Sequence, residues 1–221
     1  MLKLRHVYKT YQNDRHVLRD LNFETNESGL YFIKGESGSG KTTLFKLLTA
    51  MIKPTSGEIF FNSVPISNLT AEKISEYRKN VGIIFQDYKL ISRLTIAENI
   101  ALPLKIQKIS AAEIQKKLSA LIEKLNLGDF INEYPEHISG GQQQKAAVAR
   151  ALIADPELII ADEPTGNLDA QNSLALIQIL SDYAAGHSIK GATVFIATHD
   201  ESILKKNNQR ILTLQNGQLN L

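Results

Sequence analysis

Eight residues, Gly35-Glu36-Ser37-Gly38-Ser39-Gly40-Lys41-Thr42, constrain this chain more than any other stretch. They satisfy the pattern G-x-x-x-x-G-K-[ST]. An apolar run, Leu30-Tyr31-Phe32-Ile33, precedes them, and Thr43-Leu44-Phe45-Lys46-Leu47-Leu48 follows with the spacing of an amphipathic helix. Strand, glycine loop and helix is the context in which this pattern cradles phosphate. Glycine admits backbone conformations closed to other residues, so successive N–H groups can turn inward on one anion. The helix adds its free N–H groups and the positive end of its dipole. Lys41 supplies a full charge for the β- and γ-phosphates, and Thr42 a hydroxyl ligand for Mg²⁺. A glycine-rich turn without a ligand is disfavoured by the strand and helix around it. The chain is expected to bind a nucleotide.

The rest of the chain sets the frame for that loop. With 221 residues it can bury a full core. A formal net charge of +2 without blocks of like charge offers nucleic acid no electrostatic footprint. Cysteine is absent, which excludes a disulfide framework, a thiolate metal site and a cysteine nucleophile. Met1-Leu2-Lys3-Leu4-Arg5-His6 has no apolar core for a signal peptide, and no run approaches the roughly 18 apolar residues of a membrane span. A membrane role is expected to come through a partner.

Alternation over residues 2–7 and 17–23, with a turn at Asn13-Asp14, predicts antiparallel strands. After the glycine loop and its helix, a short strand at 58–61 and a short helix over 70–80 are expected. Val81-Gly82-Ile83-Ile84-Phe85 reads as a buried strand ending at Gln86. From about Thr95 to Leu127 the pattern is helical, with a capping box at Ser110-Ala111-Ala112-Glu113. Another helix is predicted from Gly141 to Ile153, stopped by Asp155-Pro156. Residues 158–161 and 193–197 are apolar strands, and Arg210–Leu214 turns at Asn216-Gly217 into Gln218–Leu221, a strong hairpin signal. Alternating strands and helices predict an α/β fold. One domain, 1–221, is expected: a P-loop NTPase (RecA-like) core with an N-terminal antiparallel β subdomain over 1–87 and 154–221, and an inserted α-helical subdomain over 88–153.

Two further stretches carry chemistry. Leu158-Ile159-Ile160-Ala161-Asp162-Glu163 is an apolar strand ending in carboxylates. Asp162 is placed to hold Mg²⁺ through its water shell, and Glu163 to polarise an attacking water as general base. Ile138-Ser139-Gly140-Gly141-Gln142-Gln143-Gln144-Lys145 puts two glycines after a hydroxyl at a helix start, a second anion-binding terminus. A capped helix with Ser139 as N-cap is the plain alternative.

ISGGQQQK resembles the LSGGQ signature of ABC ATPases, and the resemblance runs through the whole chain in order. Tyr11 matches the aromatic that stacks on adenine. Residues 35–43 match Walker A, so Gly35, Ser37, Gly38, Ser39, Gly40, Lys41, Thr42 and Thr43 are nucleotide-binding candidates. Gln86 matches the Q-loop, 138–142 the signature, 158–163 Walker B, Asn167-Leu168-Asp169 the D-loop and His199 the H-loop. The resemblance implies an ATPase whose two copies pack head to tail around two ATP. Ser139, Gly140, Gly141 and Gln142 of one copy would meet the γ-phosphate held by the other, and Asp169 would cross the interface. It implies that His199 contacts the γ-phosphate and keeps water and Glu163 in line, and that Gln86 is a Mg²⁺ and water ligand and the hinge of the insertion. Taken alone, His199 and Gln86 read as strand-end polar residues and Tyr11 as sheet packing. His6, His16, His137 and His187 read as ordinary surface or packing residues.

Asp162–Asp169 and Glu98-Asn99-Ile100-Ala101-Leu102-Pro103-Leu104 are similar to the branch of macrolide-export, lipoprotein-release and cell-division ATPases. That implies a stand-alone bacterial subunit, peripheral on the cytoplasmic face of the inner membrane. It would drive a separate integral membrane permease or mechanotransmission subunit. With so little chain after His199, no C-terminal regulatory domain is expected. Ile138 for Leu, Thr42 for the commoner Ser and Lys145 for Arg are mild departures. A cell-division ATPase and a soluble non-transport ABC ATPase are the alternatives within the family. A P-loop kinase or GTPase would need neither the signature nor His199. Tyr88, Leu90, Ile91, Leu94 and Ile96 have no nucleotide role and crowd the turn after Gln86, so part of them is expected to stay exposed as a groove for a helix of the membrane subunit.

Overall fold

The computed structural model describes residues 1–12, 15–25, 27–186, 191–206 and 210–220. The expected turn at Asn13-Asp14, His187 and the last hairpin residue, Leu221, lie outside these. In chain order the strands and helices are β1 (Leu2–Tyr11), β2 (Arg15–Glu24), β3 (Gly29–Lys34), α1 (Lys41–Leu48), β4 (Ser56–Phe61), β5 (Val64–Pro65), α2 (Ala71–Lys79) and β6 (Val81–Ile84). Then come α3 (Ile96–Ile106), α4 (Ala111–Leu125), α5 (Gly140–Leu152), β7 (Leu158–Asp162), α6 (Ala170–Ala184), β8 (Thr193–Ala197), α7 (Glu201–Lys206), β9 (Ile211–Gln215) and β10 (Gln218–Asn220).

Strands β1 and β2 pair antiparallel and, with β4 and β5, form a sheet of order β2-β1-β4-β5. Their alternation buries Leu2, Leu4, Val7, Leu18 and Leu21 on one face. The second sheet has the order β10-β9-β3-β8-β7-β6 and is parallel from β9 to β6. Its central strands have no alternation because both faces are covered: Phe32, Ile33, Leu158, Ile159, Ile160, Val194, Phe195 and Ile196 are all buried. One core fills the space between the two sheets around α1; another lies on the opposite face, under α5 and α6. Register brings both Ile33 and Asp162 level with Ala197. The C-terminal ends of β3, β7 and β8 therefore lie side by side, and each opens into a loop at the same edge of the sheet.

No strand interrupts the chain between β6 and β7. Helices α3, α4 and α5 fill that interval and share a third core, built on Ile96, Ile100, Leu104, Leu118, Leu127 and Phe130. Thr95 caps α3 with a full capping box, closed by Glu98. The box expected at Ser110 is only half formed. Ser110 accepts from the Glu113 N–H, but the Glu113 carboxylate takes the serine hydroxyl rather than the Ser110 backbone N–H. Asn216 and Gly217 both have positive φ, 51° and 76°, as a two-residue hairpin turn requires. Helices α6 and α7 have no counterpart in the reading of the sequence. Leu176, Ile177 and Leu180 carry α6 onto the second core, and Asp169 caps it.

Candidate functional site

The glycine loop leaves β3 and enters α1 through Gly40, whose φ of 110° is open to glycine and strained for other residues. A Cβ at Gly35 would stand 2.5 Å from the Leu214 carbonyl oxygen, so the loop's first position is closed to side chains by the neighbouring strand. Lys41 is buried to 7 % exposure, and its ammonium donates to the carbonyls of Gly35 (2.6 Å) and Glu36 (3.1 Å). The lysine head is thus held at the mouth of the loop by weak partners that a phosphate can replace.

Thr42 donates its hydroxyl to Asp162 Oδ2 at 3.0 Å, joining the start of α1 to the end of β7. Burial pushes the Asp162 carboxyl above the usual carboxylate range. The hydrogen bond from Thr42 opposes this, the charge of Glu163 adds to it, and Lys41 and Lys46 oppose it more weakly. Next in sequence, Glu163 adopts a left-handed backbone (φ 48°), fixed by its N–H donating to the Ala197 carbonyl at 3.0 Å. That turn aims its carboxylate back into the site, with Oε1 3.3 Å from His199 Nδ1 and 3.9 Å from Lys41 Nζ. A strained non-glycine residue persists only where its surroundings over-determine it.

These groups line a cleft of about 1080 Å³. Its lining includes Ser37, Gly38, Gly40, Lys41, Thr42 and Thr43 of the loop and helix start, Gln86, Asp162 and Glu163 from strand ends, and Tyr11. Tyr11 ends β1, is 38 % exposed, and has Lys9 Nζ 5.3 Å from its ring centroid. His199 does not line the cleft. It is exposed and reaches the cleft through Glu163, at the border of a neighbouring cavity of about 490 Å³. Gly35 touches the cleft only by accepting from Lys41, and Ser39 turns away, its hydroxyl buried without a hydrogen-bond partner among the described residues.

The signature residues are elsewhere. Ser139 caps α5 in a reciprocal box: its hydroxyl accepts from Gln142 N, and Gln142 Oε1 accepts from Ser139 N. Ser139, Gly140, Gly141 and Gln142 do not line the cleft, and neither does Asp169. Asp169 accepts from the backbone N–H of Asn172 at 2.8 Å and from its side-chain amide at 2.6 Å, which holds its carboxyl below the usual range. One chain therefore assembles Tyr11, the glycine loop, Gln86, Asp162 and Glu163, with His199 at the edge, and leaves the capped helix terminus at Ser139 facing outward.

Arg15 and Lys46 line the cleft as further cations and Gln12 as a polar neighbour of Tyr11, none of them singled out from the sequence. Arg15 sits opposite Tyr11 in the β1–β2 register, a proximity the hairpin alternation could have suggested. Asn167 donates to the Gln86 carbonyl at 3.2 Å and ties the segment after Glu163 to the Q-loop position. In the turn after Gln86 only part of the apolar set stays accessible. Ile96 is fully buried in the insertion's own core, and Leu90 packs against that core; Tyr88, Ile91 and Leu94 are half-buried. Asn99, buried to 0 % exposure, binds the turn by donating to the carbonyls of Ile91, Leu94 and Thr95 and accepting from Ile91 N–H.

Residues 18–166, spanning the glycine loop, Gln86, the signature and Asp162-Glu163, match the ABC transporter family. The chain belongs to that family. It is 35 % identical over 219 residues to the cell division ATP-binding protein FtsE of Escherichia coli (strain K12), covering 99 % of this chain and 97 % of FtsE. An ABC transporter ATP-binding protein of Methanocaldococcus jannaschii, MJ1508, is also 35 % identical, over 223 residues, with 99 % and 97 % covered. A dimeric structure of the ATP-binding cassette MJ0796, in a post-hydrolysis state with ADP and Pi, superposes with a TM-score of 0.89. That structure is 33 % identical, and the match covers 100 % of this chain and 97 % of the cassette. The expected α/β cassette fold, the ATP-binding and ATP-hydrolysing activity, and the likeness to the branch that includes FtsE are borne out. No helix among the described residues is long and apolar enough to cross a membrane.

Proposed function

We propose that ATP lies in the cleft with its adenine on Tyr11 and its phosphates on residues 37–43, and that hydrolysis requires a second copy of the chain packed head to tail. The observation that carries this reading is the separation within one chain of two glycine-rich helix N-termini, one at the cleft and one exposed at Ser139. A γ-phosphate shared between Lys41 of one copy and Ser139, Gly140, Gly141 and Gln142 of the other satisfies both. The nucleotide is then the link between copies, and loss of phosphate opens the dimer. Asp169 faces the same interface.

Thr42, Asp162 and Gln86 fit a hard divalent cation. Two oxygen groups already meet at 3.0 Å, and the half-buried Asp162 carboxylate carries a charge in need of compensation. Such a cation would be held by these side chains together with oxygens of the triphosphate. When bound, Mg²⁺ neutralises charge on those oxygens. Glu163 takes the proton of the attacking water, while His199, 3.3 Å from its carboxylate, holds that carboxylate and the γ-phosphate in line. Residues 88–153 act as a helical subdomain hinged at Gln86. The surface around residues 87–95 receives the cytoplasmic helix of an integral membrane subunit, placing the chain peripherally on the cytoplasmic face of the bacterial inner membrane. Similarity to FtsE along nearly the whole chain favours a cell-division complex as the specific second reading.

Mixing two inactive variants tests the head-to-tail arrangement. Lys41→Ala damages only the cleft and Ser139→Arg only the signature, so a mixed dimer regains one intact site. ATPase activity is expected to return on mixing. A mixture as inactive as its parents, with an unmodified rate per chain independent of concentration, would refute the arrangement.

A further inference from the structure

Gln144 lies about one turn into α5 and is 1 % exposed, yet neither its amide nitrogen nor its amide oxygen has a hydrogen-bond partner among the described residues. Its surroundings are apolar: Val148 from its own helix and Leu168, Leu176 and Ile179 from the segment leading into α6 and from α6 itself. These side chains enclose a void of about 20 Å³. A side chain with two donors and two acceptors is a poor filler for such a place, where leucine or methionine would pack without desolvating an amide. Asn172 borders the same void; its side-chain nitrogen is given to Asp169 Oδ2, and no donor among the described residues reaches its side-chain carbonyl oxygen.

We infer that Gln144 is a positioning residue for ATP hydrolysis, a latch between the signature helix and the D-loop helix. When α5 engages the γ-phosphate, closure of the void brings the Gln144 amide onto the Asn172 carbonyl oxygen. Asn172 in turn fixes Asp169, so engagement at Ser139 orders the segment that faces the other copy. The unpaired amide makes the open arrangement less stable and the closed one self-consistent, which gives the pair two discrete states. The inference rests on the reading of Ser139–Gln142 as the part that meets the γ-phosphate.

A double-mutant cycle on the full chain, with Gln144→Met, Asn172→Ala and the pair, tests this through three readouts. Methionine preserves shape and removes the unpaired amide, so the nucleotide-free Tm should rise by at least about 2 °C. The same variant should lose roughly tenfold in kcat, the scale of coupling within one polar network. Its ATP Kd should stay within about twofold, since Gln144 is outside the cleft. Adding Asn172→Ala to Gln144→Met should cost nothing beyond the worse single variant. A lower Tm, a kcat within twofold of the unmodified chain, or losses that multiply would each overturn the latch. Ser139→Arg separates the two levels. If it turns over ATP normally, the signature reading falls and the latch with it; if it is inactive while Gln144→Met is fully active, only the latch falls.

Discussion

Replacing Tyr11 by alanine should weaken ATP binding without unfolding the chain, and the size of both effects follows from where the ring sits. Tyr11 belongs to none of the buried cores; it ends β1 at 38 % exposure, and its hydroxyl makes no hydrogen bond among the described residues. Among the described residues its one ring interaction is with Lys9, an exposed cation–π pair worth about 0.5–1 kcal/mol. Loss of that pair lowers Tm by no more than about 4 °C in a chain of this size. Stacking of a base on an aromatic ring contributes roughly 1–3 kcal/mol, so the ATP Kd should rise about 5- to 150-fold. Because every base has a π-face, GTP should weaken in parallel. Tyr11→Phe keeps the ring and should bind ATP within about twofold of the unmodified chain. Calorimetric titration of ATP, alongside thermal unfolding of the nucleotide-free chain, measures both effects. If Tyr11→Ala binds ATP normally and its Tm falls by much more than the Lys9 contact explains, the residue is sheet packing and the adenine platform lies elsewhere.

Glu163→Gln should retain ATP affinity and lose about 10²- to 10⁴-fold in kcat, since an amide cannot accept the proton of water; its ATP-bound dimer should accumulate on a sizing column, and an unchanged steady-state rate would remove Glu163 from the role of base. Asp162→Asn should raise the Tm of the metal-free chain at pH 7. Burial raises the native carboxyl above its unfolded value, so this group's contribution is most favourable below the unfolded pKa of about 4 and is lost as pH rises through the native value. The gain over the unmodified chain should therefore vanish at acid pH, and the Mg²⁺-dependent part of ATP stabilisation should be lost with it; a lower Tm at pH 7 in chelator would refute the assignment. Ile91→Ser with Arg93→Glu, on the half-buried and exposed side of the turn after Gln86, should abolish co-purification with the membrane subunit while ATPase of the isolated chain persists. Leu90 is unsuited to that test because it packs into the insertion's core.

Much of the fold was legible because its signals are local. The strand before Gly35, the helix after Thr42, the hairpin at Asn216-Gly217 and the buried strands at 158–161 and 193–197 each announce themselves within a few residues. Helix α6 was missed although Asp169 and Asn172 mark its start, because Leu174, Leu176, Ile177, Ile179 and Leu180 crowd the apolar stripe until its period blurs. Which side chains around Tyr88–Ile96 stay accessible was not legible for a different reason. Asn99 reads as a surface residue, and only the packed turn shows its amide spending every bond on the backbone of 91–95. Ser110 shows the same limit at a cap, where the Glu113 carboxylate chose the hydroxyl over the N–H.

Local chemistry along the chain dictates a phosphate cradle, carboxylates at the end of an apolar strand, and a second capped glycine terminus opening another helix. Each is a statement about a few consecutive residues, whose backbone options and hydrogen-bonding groups are set by their own chemistry. Which of them meet was decided only by the tertiary structure. Thr42 and Asp162, 120 residues apart, touch because β3 and β7 flank β8 in one parallel sheet. The buried strands β3, β7 and β8 are similar apolar runs that could exchange places without altering any local pattern. Strand order therefore comes from how crossovers, helices and cores fit together. The same packing turned Ser139 outward, aimed Glu163 through a left-handed turn toward His199, and buried the amide of Gln144 among hydrocarbon, three placements that no stretch of the chain specifies alone.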